Sequence, residues 1–151
     1  MALYHLLSTQ YLLFSSLEHQ NIHLGFAFTL IFLTTLRYNK NILYRFVVIF
    51  FLISGLLVTA YIKVRFEHLQ VVVGMPGAYD LIIGIILIVV VIEATRQAWG
   101  LILPIISLFF ISYILFGQYL QFADLAHRGF PIDYIVSVLG IGFKGIFGSF
   151  L

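Results

Sequence analysis

The 151-residue sequence has no cysteine, so disulfides and thiolate metal sites are excluded. Charge is scarce as well. Asp, Glu, Lys and Arg together make up 9% of the chain, against about 25% in ordinary soluble domains. Eight Lys and Arg barely outnumber six Asp and Glu, and no basic stripe of the kind that grips a nucleic acid is present. No segment reads as a secretory leader with a small-residue cleavage site. What fills the chain instead is apolar: 62% of residues are hydrophobic and the mean hydropathy is +1.11. A soluble fold of this size still exposes roughly 30% of the surface of its unfolded chain. It has too little polar surface to cover itself, so lipid must be the solvent for much of the sequence.

A membrane-crossing helix needs about 20 mostly apolar residues. Four segments answer that description: 22–37, 43–62, 78–94 and 97–116. The third begins just after a Pro76-Gly77 turn, and Pro104 inside the fourth predicts a kink. Residues 2–17 carry His5, Ser8, Thr9, Gln10, Ser15 and Ser16. They read as a partial or interfacial helix in the headgroup layer. Residues 134–151 are apolar but glycine-rich with Lys144 in their middle, a composition better suited to packing on protein than to crossing lipid alone. The expected fold is therefore all-α: a polytopic membrane protein with about four spanning helices, an N-terminal interfacial helix and a C-terminal packing segment.

Arg37, Lys40 and Arg45 share one short loop that holds no acid. The positive-inside rule places that loop in the cytoplasm. Alternation then puts residues 63–78 outside, Glu93 and Arg96 inside, and residues 117–133 outside. The run from Leu81 to Phe116 would be about 54 Å long as one helix, far more than a hydrocarbon layer of about 30 Å. It must reverse, and its polar residues place the reversal at Glu93–Arg96. Those two residues have helical i,i+3 spacing and can pair, which limits the cost of two charges at a membrane surface. Trp99 then falls in the interface, where indole rings settle.

Several motifs carry a sharper and a plainer reading. The stretch GIGFKG (140–145) fits G-x-G-x-x-G, but no strand precedes it and no acid follows about 20 residues on, as a dinucleotide loop requires. Close packing through Gly140, Gly142, Gly145 and Gly148 is the stronger reading. His19 and His23, at i,i+4 beside Glu18, have a spacing that can share a metal. With no third ligand in view, a polar interfacial turn outweighs it. Glu93 can be read as an intramembrane proton-relay acid, yet the cation three residues on favours structural pairing. No catalytic triad, phosphate loop or carboxylate pair appears, so neither an enzyme nor a cofactor is expected.

Three stretches share a resemblance: IHLGFAFTLIFL (22–33), DLIIGIILIVVVIEATRQAWGLILPIISLFFISYILFGQYL (80–120) and AHRGFPIDYIVSVLGIGFKGIFG (126–148). In order, their E-A-T-R, L-P-I-I, F-G-x-Y-L, H-R-G and G-I-F-G elements resemble the fused permeases of tripartite ATP-independent periplasmic (TRAP) transporters, in the branch served by TAXI-type binding proteins. The resemblance implies a division: residues 1–95 match a small-subunit-like membrane part, and residues 96–151 match the start of the large permease part. It also implies partners, namely a large permease part, a periplasmic TAXI-type binding protein and the bilayer of a bacterial inner membrane. Glu67, His68, Asp124, His127 and Arg128, in outward loops, are then candidate contacts for the binding protein. The family's solute and cation sites lie beyond the region matched by GIFG, and most of its first helix lies before the region matching Tyr4–Leu12. No family binding residue can therefore be carried onto this chain. Two other readings stand beside this one. They are an accessory membrane subunit with no transport role, and a membrane enzyme using His19 and His23 with a metal.

Overall fold

Two asparagines separate the first helix from the second. In the computed structural model, which describes residues 16–72, 75–119 and 129–141, helix α1 spans Ser16–Tyr38 and α2 spans Ile42–Val64. Asn39 Oδ1 accepts the Asn41 N–H at 3.0 Å. Asn41 Oδ1 in turn accepts the Leu43 N–H at 3.1 Å, which satisfies one orphan donor of the new helix. The chain thus turns back on itself within three residues. Helix α2 leads into a short α3 (Phe66–Val71). After Pro76 the chain enters α4 (Ala78–Trp99), then α5 (Ile102–Phe116) with a terminal 3₁₀ turn over Gly117–Tyr119. A last helix, α6 (Ile132–Val136), widens into a π-type turn at Ser137–Ile141. The described residues contain no strand, in keeping with the all-α expectation.

Among the described residues, three helical stretches are long and apolar enough to cross a membrane: α2, α4, and α5 with its 3₁₀ turn. At 23 and 22 residues, α2 and α4 are each about 33–35 Å long at 1.5 Å per residue, a match to a hydrocarbon core of about 30 Å. These helices make the chain a multi-pass membrane-associated protein. Helix α1 equals α2 in length at 23 residues. Its first turns hold Glu18, His19, Gln20, Asn21 and His23, and this polar start keeps it out of the set. Among the described residues, three of the four expected spans therefore qualify by length and composition.

The core lies among α1, α2 and α4. Phe28 and Phe32 from α1, Val48, Val58 and Ile62 from α2, and Leu87 and Val90 from α4 are all fully buried. Gly55 lets the three helices close in, because a Cβ there would stand 2.8 Å from Phe28 Cδ2 and 3.2 Å from Val90 Cγ1. The opposite faces are bare hydrocarbon: Phe46, Phe50 and Leu57 on α2, and Ile105, Phe109 and Phe110 on α5. Exposed apolar surface on this scale is foreign to a water-soluble monomer and native to a lipid-facing one. Inside the helices, the Thr29, Thr34, Thr35, Thr95 and Ser112 hydroxyls donate to carbonyls one turn back. These polar groups thus enter the apolar layer already bonded.

Two expectations about the reversal need correction. Helix α4 continues straight through Glu93–Arg96 to Trp99, and the chain turns at Gly100, whose φ is +83°. An i,i+3 ion pair stabilises helix rather than ending it. The stop comes at the first glycine after the pair, which takes a positive φ without a Cβ penalty. A division of the chain between residues 95 and 96 therefore falls inside a continuous helix. Pro104 produces no kink either. It sits in the first turn of α5, where a missing N–H costs no helical hydrogen bond.

Candidate functional site

The bundle has polar groups at both ends and hydrocarbon between them. At one end lie the last turns of α1 and α4 and the first turn of α2. Arg96 points both Nε and Nη2 at Glu93, to Oε2 at 2.7 Å and to Oε1 at 2.7 Å. This fork-on-fork geometry is the strongest form of the Arg–carboxylate pair. Gln97 Nε2 adds a third bond to Glu93 Oε1 at 2.8 Å. From across the helix interface, Arg96 Nη2 donates to the Tyr44 hydroxyl at 2.9 Å. The Glu93 side chain is 15% exposed and that of Arg96 36%, so the pair is neither fully solvated nor sealed. Its carboxylate accepts three hydrogen bonds from its own helix, and the Tyr44 bond to Arg96 ties α4 to α2.

The remaining cations surround this knot. Arg37 ends α1, Lys40 lies in the link, and Arg45 is in the first turn of α2. All three are exposed, and none has an acidic partner among the described residues. Next to them is an open cleft of about 700 Å³ lined by Thr34, Thr35, Tyr38, Lys40, Tyr44 and Gln97, together with Asn39. The structure thus brings the five topology residues, Arg37, Lys40, Arg45, Glu93 and Arg96, to a single end of the bundle.

The other end is tied by different groups. Asp80, in the first turn of α4, is buried. Its Oδ1 accepts from the Tyr61 hydroxyl at 2.7 Å, and its Oδ2 accepts the Gly77 N–H at 3.2 Å. His68 Nε2 of α3 lies 3.6 Å from Asp80 Oδ2. One acid thereby caps α4, anchors the end of α2 and holds the short outer helix. Nearby, buried Asn21 donates to the Thr59 carbonyl at 2.9 Å, which joins α1 to α2. The sequence marked His68 as a candidate partner contact. It is half-exposed and engaged with Asp80, while Glu67 is exposed. Asp124, His127 and Arg128 lie outside the described residues.

Of the four glycines expected to pack, only Gly140 is described, and it packs against Gly84 of α4. A Cβ at Gly140 would stand 2.9 Å from Gly84 O and 3.0 Å from Gly84 Cα. One at Gly84 would meet Val136 Cγ1 at 2.8 Å. The α6 segment and α4 therefore touch backbone to backbone, which only small residues permit. Gly142, Gly145 and Gly148 lie outside the described residues. His19 and His23 do approach, ring nitrogen to ring nitrogen at 3.1 Å. That contact needs one ring to donate and the other to accept. Among the described residues no third His, Cys, Asp or Glu joins them to form a metal-binding group.

Tyr44, Gln97, Tyr61, Asp80 and Gly84 were not singled out from sequence. Asp80 had a usable signal, an acid at the third position of a helix that follows a Pro-Gly turn. The tyrosines had none, because their partners are distant in the chain. Comparison with protein families, with curated proteins and with solved structures finds no match to this chain.

Proposed function

We propose that this chain is the small scaffold part, with the opening of the large part, of a TRAP-type secondary transporter in a bacterial inner membrane. The ordered resemblance of residues 22–33, 80–120 and 126–148 to TAXI-type fused permeases carries this reading. In such a complex a periplasmic binding protein delivers a small organic anion, and an ion gradient drives its uptake by movement of the large part. The described bundle suits a stationary frame. Helices α2 and α4 are tied at one end by Tyr44–Arg96–Glu93 and at the other by Tyr61–Asp80, and Asn21–Thr59 joins α1 to α2. Helix α5 leaves an apolar face bare, with Ile105, Phe109 and Phe110 exposed. That face fits the larger permease part better than water.

In this reading α1 is the fourth span, its polar first turns in the outer headgroup layer, and the Arg37–Lys40–Arg45 end is cytoplasmic. Glu67, His68, Asp124, His127 and Arg128 are on the side of the binding protein. In this reading the chain acts as a scaffold and does not transport alone. The test is affinity purification of the tagged full chain from its native membrane in mild detergent. A multi-helix permease partner should come down with it, encoded beside a periplasmic binding protein. Recovery with an unrelated complex and no permease would leave the accessory-subunit reading in its place.

A further inference from the structure

We infer that the cleft between the end of α1 and the start of α2 is a binding site for the phosphate of an anionic phospholipid. The inference depends on the membrane placement of the helices and not on the transport reading. Four observations carry it.

The cleft is walled by polar side chains and no acid lines it. The carboxylate nearby, Glu93, is paired with Arg96 and bonded by Gln97. Local charge is therefore positive, supplied by Lys40 in the lining and by exposed Arg37 and Arg45 beside it. Basic pockets between helices at the membrane surface are where acidic headgroups collect.

Donors face the space in a usable form. Tyr44 Oη spends its lone pair on the Arg96 guanidinium. Its own O–H proton remains to donate, polarised by the cation behind it. Asn39 uses its Oδ1 on the Asn41 N–H, which leaves its Nδ2 donors for the cleft. A phosphate in the cleft would thus meet an ammonium, a phenol and an amide.

The surroundings then select the source of the phosphate. Ile42, Leu43 and Phe46, in the first turns of α2, are exposed hydrocarbon at the same end of the bundle as the cleft. Tyr38, which lines it, is exposed as well. A headgroup in the cleft can lay its acyl chains down that face of α2, in the direction the bilayer dictates. A free anion gains nothing from this face. An acidic protein segment would have to bury it against a matching apolar surface.

The volume also fits. At about 700 Å³ the cleft is open and roomy, large enough for a phosphoglycerol group with its ordered water.

The test uses the full chain in nanodiscs of phosphatidylcholine containing a minor fraction of phosphatidylglycerol. Native mass spectrometry reads the lipid that stays bound. One charged headgroup contact is worth about 1 kcal/mol, or about fivefold in occupancy, so phosphatidylglycerol should be retained at least about fivefold over its bilayer fraction. Lys40→Gln should remove most of that enrichment, and Tyr44→Phe should lower it about two- to threefold. Arg45→Gln, close by but outside the cleft lining, should change it by less than about twofold. Lys40 is exposed in a link between helices, so its variant is expected to fold. Circular dichroism of each variant checks this. Adding inorganic phosphate should leave the bound lipid in place. Three results would each overturn the proposal: no enrichment over phosphatidylcholine; enrichment indifferent to both Lys40→Gln and Tyr44→Phe; or displacement by inorganic phosphate, which would assign the cleft to a soluble anion. A cross-link from position 40 to an acidic protein in native membranes, in place of lipid, would overturn it too.

Discussion

A double-mutant cycle on Glu93 and Arg96 tests whether this pair is a tertiary clamp or only a helix-surface decoration. Exposed ion pairs couple by about 0.2–1 kcal/mol, while breaking a buried pair costs about 3–5 kcal/mol. With side-chain exposures of 15% for Glu93 and 36% for Arg96, this pair lies between. Two parallel N–H···O bonds at 2.7 Å each argue for a value above that of an exposed pair, and the partial exposure of Arg96 keeps it below that of a buried one. The expected coupling is therefore about 1.5–2 kcal/mol. Glu93→Ala alone also strands Gln97 Nε2, and Arg96→Ala alone strands the Tyr44 hydroxyl. The single variants should therefore each cost more than the coupling, about 2–3 kcal/mol. Tyr44→Phe removes a single bond to a charged donor and should cost about 1–1.5 kcal/mol. Unfolding of the purified chain in mixed detergent–SDS micelles gives all of these values. A Glu93–Arg96 coupling below about 0.3 kcal/mol, typical of a solvated i,i+3 pair, would refute the clamp. So would a Tyr44→Phe variant as stable as the parent.

Further outcomes follow from the same structure. The chain has no cysteine, so single-cysteine variants report topology cleanly. Cysteines at exposed Lys40 and Ala98 should react with an impermeant maleimide from one side of the membrane, and those at Glu67 and Met75 from the other. Cysteines at Leu57 and Leu108 should resist it in the bilayer. Opposite-side labelling at positions 40 and 98 would break the topology. Gly84→Val should destabilise by about 2–3 kcal/mol or expel the α6 segment, because its side chain would meet Val136 at under van der Waals distance. Thermal unfolding and proteolysis of residues 129–141 read this directly. Gly100→Ala, at φ +83°, should cost about 1–2 kcal/mol. Asn41→Ala should cost about 1 kcal/mol through the lost cap of α2, and denaturation midpoints measure both.

The balance between sequence and tertiary structure is clearest residue by residue. Apolar run length placed α2, α4 and α5 in lipid without any coordinates, because a bilayer sets a length and a composition that chain order alone can meet. The i,i+3 spacing of Glu93 and Arg96 also revealed their pairing, since helix geometry converts spacing into contact. It misled on the reversal. Polar residues suggested a turn at the pair, whereas the backbone turned at Gly100, where a positive φ is tolerated. The tyrosine anchors were invisible. Tyr44 meets Arg96 across 52 residues of sequence, and Tyr61 meets Asp80 across 19. Nothing local in either stretch names its partner.

The apolar character of α2, α4 and α5 and the clustering of cations between α1 and α2 were therefore properties of the amino-acid order itself, since each is a sum over neighbouring residues. Which polar groups closed the two ends of the bundle, which glycine met which, and where the unneutralised cations gathered around a cleft were settled only by packing. Those outcomes depend on distances between segments far apart in the chain, and such distances exist only once the helices have docked.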